Sequence, residues 1–158
     1  MNVEPVWQAA DEIWSRMRSL LEELLSAPSA PRAPRVVPPA PGIYLFSDGS
    51  RYRYVGQTRN LRARLGQHTR PNGTHYTATL AFLMAVERAE ADELTIEGQR
   101  RAARQDDPAF VVHFDLAKAE VASWNVQYIE VESPLVRTLF EVYVHLTLNT
   151  DLNSFETH

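Results

Sequence analysis

Apolar side chains recur at helical spacing over residues 4–26: Val6, Ala10, Ile13, Met17, Leu20, Leu21 and Leu24, flanked by Trp7 and Trp14, with Asp, Glu and Arg filling the opposite face. That period predicts an amphipathic helix. Such a helix cannot bury its own stripe, so residues 1–26 form an arm that packs on the rest of the chain or on another chain. The pattern then stops. Residues 27–41 hold six of the ten prolines. Proline at this density prevents helix and disfavours a central strand, so the stretch reads as a semi-rigid linker. A globular domain is expected over residues 42–158.

Residues 42–46 form a short apolar run, Asp48-Gly49 is a hairpin turn signal, and residues 51–56 alternate polar and aromatic. Together they predict a β-hairpin. Thr58 is placed to cap a helix over residues 59–68, with Leu61 and Leu65 on one face. A polar loop over residues 70–77 leads to a helix at 78–90, marked by Leu80, Leu83, Met84 and Glu87, and a further short helix is expected within 92–105. Residues 108–121 fit two periods. Phe110, Val112, Phe114 and Leu116 alternate like a strand, whereas Phe110, Phe114, Ala117 and Val121 fit a helix. Asp107-Pro108, a cap followed by a first-turn proline, favours the helix. Residues 124–131 alternate as a strand, and Ser133-Pro134 opens a last helix over 134–148 by the same capping logic. The order predicts an α+β domain with a small, three-stranded sheet flanked by helices and preceded by a helical arm.

Composition narrows the chemistry. The chain has 158 residues and no cysteine, which excludes disulfides and thiolate metal sites and fits a reducing, cytoplasmic setting. The first residues carry acids where a signal peptide has a basic start, and no apolar stretch is long enough to span a bilayer. The net charge of −4 argues against a general nucleic-acid binder. Its distribution argues otherwise. Residues 42–79 carry six arginines (Arg51, Arg53, Arg59, Arg62, Arg64 and Arg70) against one acid, Asp48, a local balance of +5. Either this is an ordinary solvated surface or it faces a polyanion.

The residues suited to chemistry form a spaced set. Gly42-Ile43-Tyr44 and Tyr54-Val55-Gly56 lie on the two hairpin strands, Arg64 and His68 share a helix face at i and i+4, Glu141 lies in the last helix and Asn153 in the tail. A hairpin can set Tyr44 beside Tyr54. Phosphoryl chemistry needs a base for water and a cation for the charge of the transition state, and Glu141 is a hard oxygen ligand suited to Mg²⁺. Singly, each residue has a plainer role. Strand tyrosines usually pack, helix arginines are usually solvated, and Glu141, among apolar neighbours, could pair with Arg137.

Taken together, "PGIYLF…YRYVGQTRNLRARLGQH" and the downstream Glu141 and Asn153 resemble the GIY-YIG nuclease family, closely over residues 41–68 and more loosely over 134–153. The resemblance implies a three-stranded antiparallel sheet with flanking helices, and a restriction-type or stand-alone endonuclease. It implies that Tyr44 and Tyr54 are the motif tyrosines, one helping to activate water. Arg64 would be the transition-state arginine, His68 the general base, Glu141 the ligand of one Mg²⁺ (or Mn²⁺), and Asn153 the late asparagine that braces the site. Valine replaces isoleucine in the second motif. Gln57 stands where some repair-type members have lysine, and residues 70–123 look like a helical insertion. The expected partner is DNA, contacted by Arg51, Arg53, Gln57, Arg59, Arg62, Arg70 and the loop that follows. Competing readings are a non-cleaving nucleic-acid-binding module and a helical interaction protein. The exposed arm also predicts a homodimer.

Asn149 competes with Asn153 for the bracing role. Eight residues past Glu141 on one helix is about 12 Å along the axis and roughly 80° off its face. Asn149 is therefore expected to end the helix in the left-handed conformation. Asn153 is expected to fold back over the site, with Leu152 and Phe155 anchoring the return.

Overall fold

A computed structural model describes residues 4–31, 36–94 and 100–153. In chain order its elements are α1 (Glu4–Ser26), β1 (Ala30–Pro31), β2 (Gly42–Ser47), β3 (Tyr52–Thr58), α2 (Leu61–Thr69), α3 (Thr79–Ala91), α4 (Arg101–Asp106), α5 (Pro108–Ser123), β4 (Asn125–Glu130) and α6 (Pro134–Leu148).

The sheet is antiparallel and has the order β1-β4-β2-β3. It has four strands where three were expected. The extra one is the two-residue β1, at the edge beside β4 (Ala30 opposite Val126, Pro31 opposite Asn125). Proline lacks an amide donor and is tolerated at a sheet edge, so the linker contributes a strand despite its composition. Residues 32–35 of that linker lie outside the described residues.

Alternation along the strands gives the sheet two buried faces. Tyr44, Phe46 and Val126 point to one, where they meet Leu61 and Leu65 of α2, Leu80 and Phe82 of α3, and Phe110 and Phe114 of α5. Ile43, Leu45, Val55 and Ile129 point to the other, where they meet Met17 and Leu24 of α1 and Phe140 and Val144 of α6. Burial settles the two-period stretch in favour of the helix. Phe110, Phe114, Ala117 and Val121 are buried in α5, whereas Val112 and Leu116 are each 58% exposed. Leu83, one of the residues that mark the α3 period, is also exposed.

Several helix ends follow the sequence. Asp107 and Ser133 cap α5 and α6 by accepting from Ala109 N and Val136 N, each followed by a first-turn proline. Asn149 ends α6 at φ 51°, in the left-handed region. One cap differs. Asn60, not Thr58, caps α2, its Oδ1 accepting from Ala63 N at 2.9 Å. Thr58 instead stays in β3, with its Oγ1 accepting from Asn60 N.

The arm folds back onto its own domain. Met17 and Leu24 are buried against the α6 side of the sheet, with Leu20, Leu21 and Leu25 packed around them. The Gln127 side chain donates to the carbonyl oxygens of Leu24, Leu25 and Ala27 at 2.9–3.2 Å, satisfying the end of α1. The stripe that suggested a dimer is thus covered in cis over this half. Toward the other end Trp7 and Trp14 remain 63% and 50% exposed, Trp14 resting at 5.9 Å from the Tyr143 ring. Among the described residues no helix is long and apolar enough to cross a membrane.

Candidate active site

The site lies where β3, a sheet edge, meets α2 on one side and α6 on the other. Tyr44 is opposite Gly56 and Phe46 opposite Tyr54, so the two motif tyrosines are diagonal neighbours on one face, ring centroids 6.2 Å apart. A Cβ at Gly56 would overlap the hydroxyl and ring of Tyr44. The second motif therefore needs glycine where the first presents its phenol.

Arg64 and His68 reach the same phenol from α2. The Tyr44 hydroxyl lies 3.0 Å from His68 Nε2 and accepts from Arg64 Nε at 3.3 Å. Arg64 Nη1 also donates to Gln67 Oε1 and to the carbonyl of Thr77, both at 3.3 Å. His68 is 1% exposed, ringed by Tyr44, Phe46 and Tyr54. Burial, and secondarily the Arg64 charge, push its pKa down to about 3, so the imidazole is neutral at ordinary pH. Its Nδ1 has no hydrogen-bond partner among the described residues. His68, the general base that the resemblance implies, is thus enclosed by the fold and not displayed on the helix surface. Burial likewise raises both tyrosines above their ordinary value, Tyr44 further than Tyr54, and both remain neutral phenols.

Glu141 comes from the other face of the sheet but reaches the β3 edge. Its Oε1 accepts the backbone amide of Gln57 at 3.2 Å, and its Oε2 accepts the Gln57 side-chain amide at 2.8 Å. Gln57 also donates to Thr138 Oγ1 at 3.2 Å. Gln57, assigned to nucleic acid from sequence, thus spends its donors on Glu141 and Thr138. The salt bridge weighed for Glu141 is not formed with Arg137, whose Nη1 instead donates to the carbonyls of Val131 and Glu132 at 2.8 Å. Burial raises the Glu141 pKa, and the Gln57 bonds partly offset that rise. The carboxylate bears on both tyrosines, adding to the rise of each.

Asn153 completes the edge. Its Oδ1 accepts from Val55 N at 2.9 Å and its Nδ2 donates to Val55 O at 2.8 Å. Leu152 N donates to Arg53 O at 3.0 Å. The tail therefore returns alongside β3, with Leu152 packed on the core. Phe155 lies outside the described residues. Two residues missed from sequence support this clamp. Thr150 Oγ1 donates to Asn153 Oδ1 at 2.7 Å and lies 2.9 Å from His145 Nδ1. Their sequence context carries no signal for this role.

The arginines assigned to DNA divide. Arg51 and Arg53 pair with Asp48 and Asp151 at 3.2–3.8 Å. Arg62 Nε donates to Val37 O at 2.7 Å. Arg59 and Arg70 are exposed. Among the described residues no three His, Asp or Glu side chains gather as a metal-binding group. Glu141 is a half-buried hard oxygen donor beside the tyrosines, and this donor set suits an ion that keeps most of its own waters, as Mg²⁺ does.

A phenol held between a guanidinium and an imidazole, with a carboxylate at the adjoining strand edge, is an arrangement that phosphoryl chemistry can use. Residues 40–133 match the GIY-YIG catalytic domain. This is more than half of the chain, which belongs to that family, so its reaction class is phosphodiester hydrolysis. The curated relatives are UvrABC system protein C from several bacteria. The protein from Trichormus variabilis is 37% identical over 84 residues, 48% of this chain and 13% of the relative. That from Deinococcus radiodurans is 36% identical over 61 residues, 35% and 10% of the two chains. That from Salinispora arenicola is 31% identical over 99 residues, 57% and 15%. The matches thus span 10–15% of the relatives' length. No solved structure matches the chain significantly.

Proposed function

We propose that this chain is a DNA endonuclease whose site is assembled from Tyr44, Tyr54, Arg64, His68, Glu141 and Asn153. The observation that carries the reading is the Tyr44 hydroxyl held between Arg64 and His68, with Glu141 fixed at the adjoining strand edge. Neutral His68 holds the phenolic proton inward on Nε2. The Tyr44 oxygen, so oriented, is placed to accept a hydrogen bond from the attacking water. Arg64 steadies the phenol and offers positive charge to the phosphate in its transition state. Tyr54, partly exposed, lines the approach. Asn153 keeps β3 straight by standing in for the backbone of a missing neighbouring strand.

Glu141 is the residue to hold one divalent ion, Mg²⁺ or Mn²⁺, and Gln57 aims its carboxylate. When bound, the ion polarises the phosphate and eases departure of the leaving oxygen. Incubating supercoiled plasmid with and without Mg²⁺ tests the reading. Wild type is expected to nick only with the metal. Glu141→Gln is expected to lower the rate by about 100-fold or more while DNA binding persists, in line with loss of a metal-bearing group. Unimpaired nicking by that variant would sink the assignment.

A further inference from the structure

The loop between α2 and α3 is pinned more firmly than its composition suggests. Residues 70–77 contain no acid, and three cations from three helices hold its carbonyl oxygens. Lys118 of α5 donates to Pro71 O at 2.9 Å, Arg101 of α4 to His75 O, and Arg64 of α2 to Thr77 O at 3.3 Å. Within the loop, Thr77 Oγ1 accepts from Thr74 N at 2.9 Å and Ala78 N donates to Thr74 O at 2.8 Å. The Thr79 hydroxyl holds Tyr76 O at 3.2 Å. Beneath, His75 is buried beside Phe82, and the Arg101 guanidinium lies 4.3 Å over the Phe82 ring.

On this fixed turn one aromatic side chain faces water. Tyr76 is 73% exposed, its ring backed by His75 with centroids 3.9 Å apart. A single exposed tyrosine is ordinary. This one differs because the carbonyls on both sides of it are held by guanidinium groups, and one of them, Arg64, is the arginine on the Tyr44 phenol. A flat π-face, pre-ordered on an acid-free loop beside the cleaving groups, matches the chemistry of a nucleobase between phosphates. Exposed Arg70 and Arg100, at the start of the loop and just before α4, add positive charge.

We propose that Tyr76 is a stacking platform for a nucleobase next to the phosphate being cut. The inference rests on the nuclease reading above and extends it to the substrate. A base inside an intact duplex has both faces covered, so a platform of this kind favours single-stranded or distorted DNA.

Binding without divalent metal tests the platform apart from cutting. Fluorescence anisotropy would compare labelled oligothymidylate of about 20 nucleotides with an abasic strand of equal length and charge. The full chain would be used as wild type, Tyr76→Ala and Tyr76→Trp. Wild type is expected to bind the thymidylate about tenfold more tightly than the abasic strand. Tyr76→Ala is expected to abolish the difference with unchanged abasic binding, and Tyr76→Trp to keep it. Equal wild-type affinity for the two strands, or an unchanged preference in Tyr76→Ala, overturns the proposal. If the preference is present but neither plasmid nor the single strand is cut with Mg²⁺, Tyr76 stands as a base-stacking residue and the nuclease reading fails. If plasmid is cut and the preference is missing, the platform alone fails.

Discussion

Gly56 shows how much one residue decides at this site. Any side chain there runs into the Tyr44 ring, which His68 and Arg64 already hold. Overpacking of this kind costs about 1–3 kcal/mol, and relief requires the phenol to leave both partners. Gly56→Ala is therefore expected to lower kcat by about tenfold or more with little change in KM for DNA, measured by single-site nicking. His68 makes a second residue-scale prediction. Its folded pKa, about 3, lies below its ordinary 6.5. The unfolded chain takes up a proton below pH ~6.5 that the folded chain refuses. Its contribution to stability is thus complete above ~6.5 and is lost as pH falls toward 3. His68→Gln, which does not titrate, is expected to lose less melting temperature than wild type between pH 7 and 4. Activity of the wild type should show no step near pH 6.5 that vanishes in the variant; such a step would mean that His68 titrates in contact with water.

At the scale of elements, β3 is the one to watch. It is the sheet edge on the side away from β1, and an uncovered edge presents unpaired amides and carbonyls. Here Leu152, Asn153 and Glu141 cover it from outside, at Arg53 O, at both groups of Val55 and at Gln57 N. Val55 lies between Tyr54 and Gly56, so this clamp also sets the two motif positions. Thr150, 1% exposed, holds the Asn153 amide in place. Thr150→Val keeps the shape and removes that bond. It should cost about 1–3 kcal/mol and lower kcat, with Thr150→Ser restoring both; a stability loss without a change in kcat would make Thr150 structural only. The same geometry separates the two asparagines. Asn153→Ala should reduce cutting by about tenfold, as expected for a misplaced site. Asn149→Ala, at the left-handed end of α6, should cost at most about 1 kcal/mol and leave cutting nearly intact.

For the whole molecule, the sheet is the wall between two cores, and the site draws from both. The phenols and α2 belong to the core shared with α3 and α5, and Glu141 stands on α6, which closes the other. Helix α1 helps to cover that second core and is held there by Gln127. Leu24→Ala should therefore cost about 2–5 kcal/mol, read by denaturant unfolding. The loss should be independent of protein concentration, because Leu24 is buried within its own chain. A concentration-dependent loss would point instead to an arm buried between subunits.

Much of this was legible in short stretches of sequence. Strand and helix periods, the turn at Asp48-Gly49, the caps at Asp107 and Ser133 and the helix end at Asn149 depend on neighbours within a few residues. The motif tyrosines, Arg64 and His68 could be placed on the right elements for the same reason. What each side chain meets there was decided by contacts far apart in the chain: Gln57 with Glu141, Val55 with Asn153, Gln127 with the end of α1, and Ala30 with Val126. Residues 108–121 carried both periods; Asp107-Pro108 favoured the helix, and the packing of Phe110 and Phe114 against Phe82 of α3 settled it. The state of His68 was settled likewise, because desolvation belongs to the pocket that encloses a group and not to its place in the sequence.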